Sequence, residues 1–491
     1  MEKGVITNGG RREERLGPLL DGSNGYHSRN KNDLARRVWI ESKKLWHTAG
    51  PGIFNRISAF SITVSTQAFA GHLGNLELAS VAISINVFFG FSFGLMYGMA
   101  SALETLCGQA YGAKRYHMLG IFLQRSWIVQ FVTAILLLPL FFFISPILRF
   151  LGQPDDVAEL SGLLSLWLIP LHFAYAVSFP LQRFLQSQLK AYVSAGVALF
   201  AVTVHIFMSW LFVYKLGVGI IGSVITVSIS WWIISLGLFC YVVCGGFPGT
   251  WDGFSVEAFS GLWDYFKLSA ASCVMMCYFS YSQLYYFSIH FYLFFCLSDS
   301  VVRLWPYVML GDLVLKLRCQ LWRSGLLVRL GISVLAYIIR VRAANELGVG
   351  NGKAAKFASI VSGTTSMFIG LFFCTLIMIF HGKLALLFTS SDVVIQAVDK
   401  LTFLLAVTIL LNSIQPILSG LAVGSGWQAL VAYINLRCYY VIGLPLGITL
   451  GWGFHIGVGG IWSGMIGGTA VQTLILIIIT VRCDWDMQVV P

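Results

Sequence analysis

Charge is what this sequence has least of. Only 11% of its 491 residues are Asp, Glu, Lys or Arg, against about 25% in soluble domains, whose water-facing surfaces need them. With 57% of residues hydrophobic and a mean hydropathy of +0.78, most side chains must face lipid or one another. Catalytic signatures are scarce too. The absence of a Gly-x-x-x-x-Gly-Lys-Ser/Thr loop argues against an ATP-driven pump, and no His-Glu-x-x-His metal motif occurs. Gly457-Val-Gly-Gly has no βαβ context, so it is no dinucleotide site. The ten cysteines lie mostly in apolar runs, and Cys240/Cys244 and Cys273/Cys277 share i, i+4 spacing without accompanying histidines. They read as packing thiols rather than a metal site. No enzyme, cofactor or metal is expected.

An unpaired amide in hydrocarbon costs several kcal/mol, so spanning elements must be helices or a closed barrel. Apolar runs of roughly 20 residues without strict alternation select helices. The expected fold class is an all-α polytopic membrane protein with about 12 transmembrane helices in two six-helix lobes. No cleavable signal is visible, and residues 1–44 form a polar tail expected to stay disordered in the cytosol. An N-lobe (45–243) has spans from Leu45 to the turn before Gly74, then at about Leu78–Leu106, Met118–Phe143, Leu160–Leu181 and Leu189–Tyr214. Its sixth runs from the Gly217-Val-Gly219 turn to about Val243. A Gly-rich linker (244–264) leads to the C-lobe (265–482), with spans at about Leu268–Leu297, Leu326–Ile339, Ala358–Phe380, Val394–Leu421, Ala429–Trp452 and Val458–Val481. A short cytosolic tail (483–491) ends the chain.

The net charge of +11 would suggest nucleic acid in a soluble protein. Here the cations sit at segment ends, so the bilayer is the expected partner. Placing Lys114/Arg115, Arg183/Lys190, Arg342/Lys353/Lys356 and Arg482 on the cytosolic side puts both termini there.

The chain repeats itself. Gln109-x-x-Gly112 returns as Asn345-x-x-Gly348, 236 residues on, and Pro180 returns as Pro416 at the same distance. Gly217-Val-Gly219 and Gly457-Val-Gly459 are 240 apart. The halves are therefore parallel repeats about an axis along the membrane normal, an architecture suited to alternating access. One interval departs. Tyr278–Arg340 carries Arg303, Asp312, Lys316, Arg318, Arg323 and Arg329, each costing about 2.5–3.5 kcal/mol at a helix centre. It reads as a gene-model artefact or a functional insertion.

Several blocks carry a family resemblance: Arg36–Trp46 (RRVWIESKKLW), Met99–Ala113 (MASALETLCGQAYGA), Arg342–Lys353 (RAANELGVGNGK), Gln415–Gln428 (QPILSGLAVGSGWQ) and Asn435–Gly447 (NLRCYYVIGLPLG). With them the chain resembles the multidrug and toxic compound extrusion (MATE) family, in its plant DETOXIFICATION branch. The resemblance implies two lobes forming a V-shaped cavity. It also implies export of organic cations or conjugated secondary metabolites, such as flavonoids or alkaloids, in exchange for H⁺ or Na⁺ across a vacuolar or plasma membrane. The chain departs from the family at Cys277–Tyr281, where an acidic residue is usual, at Asn412, where some relatives carry Asp, and at Arg437. A lipid-linked-precursor flippase and a non-transporting paralogue are the alternative readings. A monomer is expected.

Glu104 and His205 are the proton-coupling candidates. Burial would raise a carboxyl toward proton uptake and an imidazole titrates near neutrality, yet each would also serve as a paired or packing group. Gln67, Asn86, Gln186, Asn412, Gln415 and Tyr439 could bind a substrate's polar atoms or bridge helices. Gln109, Gly112, Asn345, Gly348, Pro180 and Pro416 are gate or hinge candidates, since turns and prolines let helices bend.

Overall fold

The computed structural model describes residues 31–246, 249–274, 339–386, 392–456, 458–483 and 485. The regular elements among them are helices. The first lobe comprises α1 (Lys31–Leu73), α2 (Leu76–Gly112), α3 (His117–Phe142), α4 (Ile144–Phe150), α5 (Asp155–Trp167), α6 (Ile169–Ser187), α7 (Ala191–Lys215) and α8 (Ile220–Tyr241). A short helix α9 (262–274) follows the linker. The second lobe supplies α10 (339–349), α11 (Gly352–Leu386), α12 (Asp392–Gly424), α13 (Gln428–Gly451) and α14 (Val458–Arg482). Among the described residues eight helices are long and apolar enough to cross a membrane, or nine if α5 and α6, bent by 47°, make one span. Pro170 near the start of α6 accounts for that break, because its ring removes an amide donor and crowds the preceding turn. Residues 278–338 of the charged interval, and the Cys277–Tyr281 departure, lie outside the described residues.

In the first lobe α2 packs against α3 and α6, while α1, α7 and α8 form a second group that meets α6 through α8. In the second lobe α12 packs on both α11 and α14. The lobes touch where α2 approaches α12 and α1 approaches α11.

The repeat is visible in backbone detail. After α2, the amides of Lys114 and Arg115 bond to the carbonyls of Tyr111 and Ala110, 3.1 and 2.9 Å away. After α10, the amides of Gly350 and Asn351 bond to Leu347 and Glu346 at 3.1 and 2.9 Å. Each position has moved by 236 residues. The left-handed cap residue is Gly350 in one copy, φ 89°, and Lys114 in the other, φ 57°. This is the paired-bond cap that satisfies a helix's last carbonyls. The turn was thus inherited whole.

Two expectations need correction. The tail is helical from Lys31, not disordered through residue 44, because it has partners. Arg342 Nε donates to Glu41 Oε1 at 2.9 Å, and the Arg37 guanidinium lies 5.0 Å from the centre of the Phe357 ring. Arg183 is not a loop charge. It lies inside α6 and is 1% exposed.

Candidate functional site

The site is organised by one stripe of α2: Phe93, Tyr97, Glu104, Gly108 and Gly112. The spacings of four and seven put these residues on one helical face. The lower part of the stripe faces α10, and the upper part faces a crevice within the first lobe.

Facing α10, each residue meets its own repeat equivalent. A Cβ added at Gly108 would lie 2.8 Å from the Cβ of Ala344, and one at Gly112 would collide with the carbonyl of Asn345 and crowd the Cα of Gly348. Reciprocally, a Cβ at Gly348 would collide with the carbonyl of Gln109. Gly108/Ala344 and Gly112/Gly348 are equivalent pairs, so the pseudo-two-fold axis runs between them. Small residues four apart let two helices approach to backbone contact, and here they join the lobes. Side chains reinforce the seam. Gln109 Nε2 donates to the Gly424 carbonyl at 3.3 Å, and Thr105 Oγ1 to that of Val423 at 3.2 Å. Asn345 Nδ2 donates back to the Ser187 carbonyl at 3.4 Å.

One turn up the stripe, Glu104 and Arg340 are the next equivalent pair. Glu104 is fully buried and its Oε2 accepts from Arg183 Nη1 at 2.6 Å, with Arg340 Nη1 at 3.5 Å. Arg183 belongs to the first lobe and Arg340 to the second, so one carboxylate holds a guanidinium from each. Above it, the Arg183 and Arg56 guanidiniums lie 4.1 and 4.5 Å from the centre of the Tyr97 ring, within cation–π range. Arg56 Nη2 also donates to the Tyr97 hydroxyl. The crevice beside them is lined by Asn55, Arg56, Tyr97, Gln182, Gln186 and Trp231, among others. About 30 Å³ of it admits a water-sized sphere, space for about two waters. Its floor is aromatic: Phe93 stacks on Tyr97 at 5.6 Å, and Phe179 meets Tyr97 edge-on at 5.4 Å.

The expected residues fall into separate places. Gln186 joins the crevice with its Oε1 lacking a partner. Gln67 Nε2 donates to Asn86 Oδ1 at 3.3 Å, away from the crevice. Gln415 donates to Ser419 at 3.1 Å and Tyr439 accepts from Thr469 at 3.2 Å, both within the second lobe. Asn412 is half-buried on α12. His205 is fully buried, with Nε2 3.2 Å from Thr66 Oγ1 and Nδ1 3.0 Å from Ser230 Oγ, bridging α1, α7 and α8. Pro180 and Pro416 both lie inside helices, α6 and α12.

Arg56, Tyr97 and Arg183 were not singled out by sequence reasoning. The available signal was an arginine inside each of two apolar helices, which demands a partner.

One arrangement resembles an enzyme. Gly90-Phe-Ser-Phe-Gly94 is a Gly-x-Ser-x-Gly run, and Ser92 Oγ lies 2.6 Å from His172 Nδ1. Both residues are fully buried, and His172 Nε2 faces the Ala134 carbonyl at 3.0 Å rather than a carboxylate. The run sits mid-helix, not on the strand-to-helix turn that exposes a hydrolase nucleophile. It is a packing contact.

Similarity to known proteins points to one family. The MatE family model matches residues 51–211 and 327–449. The chain belongs to the MATE family. It is 55% identical to Protein DETOXIFICATION 27 of Arabidopsis thaliana over 458 residues, covering 93% of this chain and 91% of that one. It is 51% identical to Protein DETOXIFICATION 26 of the same plant over 482 residues, covering 97% and 94%. The eukaryotic MATE transporter AtDTX14 has a similar crystal structure, with a TM-score of 0.80 at 31% identity over 92% of this chain and 98% of that one. Membership of the MATE family makes the chain a multi-pass membrane transporter of the multidrug and toxin extrusion type.

Proposed function

We propose that this MATE protein is a secondary active antiporter. It exports organic compounds, xenobiotics or secondary metabolites such as flavonoids or alkaloids, in exchange for protons, across a vacuolar or plasma membrane, with both termini in the cytosol. The observation that carries the reading is the seam in which Gly108, Gly112 and Glu104 meet Ala344, Gly348 and Arg340. A contact made along the axis between two repeats can be broken and remade by rocking one lobe against the other, which is what alternating access requires. Glu104 is the place for the coupling ion to act. A proton there neutralises the one carboxylate that holds an arginine of each lobe, and so weakens the seam. Pro180 and Pro416, at equivalent points of α6 and α12, supply the bends such rocking needs.

The test is uptake of labelled organic ions of both signs into proteoliposomes under an imposed pH gradient. Accumulation that collapses with a protonophore is expected. Uptake indifferent to the gradient overturns the coupling, and no uptake of any solute overturns the transport reading.

A further inference from the structure

The seam and the crevice share an unbalanced charge. Arg56, Arg183 and Arg340 cluster around Tyr97 and Glu104, three guanidiniums against one carboxylate among the described residues. Glu104 is already engaged by Arg183 and Arg340. Arg56 is half-buried at the crevice wall, where it contacts the ring and hydroxyl of Tyr97, and no described carboxylate pairs with it. A partly desolvated cation without a counter-ion is costly, so the crevice favours an anion. A second feature also points to a ligand, though not to its charge. Gln186, 7% exposed, presents a carboxamide oxygen with no partner where it lines the crevice. A buried polar atom of this kind calls for a guest or a water. Beside these groups stand the flat faces of Phe93, Tyr97, Phe179 and Trp231, with Phe93–Trp231 and Phe179–Trp231 edge-on at 6.3 and 6.0 Å.

From this juxtaposition we propose that the first-lobe crevice binds the carboxylate end of an aromatic organic anion. Arg56 is the charged contact, the Gln186 carboxamide turns so that its Nε2 donates to the carboxylate, since nothing holds its Oε1 in place, and the aromatic ring lies along the Tyr97–Trp231 wall. The space now present, about 30 Å³, accommodates the head group; the ring enters as Tyr97 and Trp231 part. An organic cation is disfavoured here, since it would meet the Arg56 guanidinium on the crevice wall. The inference rests on the transport reading above and names the cargo's charge.

The experiment compares radiolabelled benzoate with radiolabelled benzylamine, solutes of the same shape and opposite charge, in equilibrium binding to the full chain in nanodiscs. Benzoate is expected to bind saturably, and benzylamine is not. Arg56→Gln should weaken benzoate binding about tenfold or more, as loss of a charge-assisted hydrogen bond does, and Arg56→Lys should restore most of it. Gln186→Leu serves as a second variant and should weaken binding several-fold at an unchanged melting temperature. Benzylamine binding in preference to benzoate overturns the proposal. So does an absence of benzoate binding, or benzoate binding indifferent to both Arg56→Gln and Gln186→Leu. Binding is read without any gradient, so its failure is separable from failure of transport in proteoliposomes.

Discussion

Glu104 and Arg340 occupy the same position of the two repeats, and their side chains meet 3.5 Å apart on the axis that relates them. Arg183, which closes the other side of the carboxylate at 2.6 Å, has no basic counterpart, because its equivalent 236 residues on is Ser419. The cluster is therefore symmetric in position and asymmetric in charge. Glu104→Gln leaves two arginines without their shared counter-ion. Breaking a buried pair from one side costs about 3–5 kcal/mol. The variant should melt well below the parent in detergent, and proteoliposomes that retain it should show solute exchange no longer driven by a pH gradient.

The glycine seam can be tested by one methyl group. Gly112→Ala places a Cβ into the Asn345 carbonyl, and Gly348→Ala does the same at Gln109. Overpacking of this kind costs about 1–3 kcal/mol. It penalises only the state in which the lobes touch at this end. Each variant should shift the population toward the separated state, read as an increased distance between spin labels on α3 and α11. Parent-like distances in both variants would remove the seam from the gating cycle.

Outside the spans, a charged cluster ties α1 to α10. Arg342 Nη2 lies 2.8 Å from Glu346 Oε1 and its Nε 2.9 Å from Glu41 Oε1. Burial raises the Glu346 carboxyl above its usual 4.5, and Glu41 adds to this while Arg342 and Lys44 oppose it. A raised value means the folded state holds a proton that the unfolded state has released. Its stabilisation is therefore full below pH 4.5 and lost as pH rises through the folded value. Glu346→Gln removes that loss. At pH 7 the variant should melt no lower than the parent, by about 1 °C or more above it, and the difference should vanish toward pH 4.5. A variant that melts lower at pH 7 would mean the Arg342 contact outweighs burial.

His205 is expected to act as a packing group. Both ring nitrogens have hydroxyl partners on neighbouring helices. His205→Phe removes the ring contacts of Thr66 and Ser230, whose hydroxyls keep their bonds to the Ile62 and Thr226 carbonyls, and should cost about 0.5–1.5 kcal/mol, whereas gradient-driven uptake per folded molecule should persist. Loss of that uptake at unchanged stability would move His205 into the coupling path.

Much of the fold was legible in the sequence because lipid imposes a simple rule. An apolar run expected at Met118–Phe143 appears as α3, His117–Phe142, and one at Leu189–Tyr214 as α7, Ala191–Lys215. The 236-residue spacing identified Gln109, Gly112, Asn345 and Gly348 as one feature, though not that the copies press on each other. Contacts between distant segments were illegible for a physical reason. Arg183 follows an apolar run and so resembles a loop charge; only the partner 79 residues earlier, Glu104, shows that it is buried. Tyr97 looked like one aromatic among many, since nothing local records that two guanidiniums stack on it.

The axis between the lobes also carries a record of ancestry. When two identical chains meet across a two-fold, a residue on the axis faces itself, so an acid there opposes an acid. Complementary charges at such a place become available only when the copies are fused and free to diverge. Glu104 opposite Arg340 is that divergence, and the methyl-sized difference between Gly108 and Ala344 is a smaller case. The fused chain can thus hold its halves together by a means closed to a homodimer, and it fixes which half carries the acid.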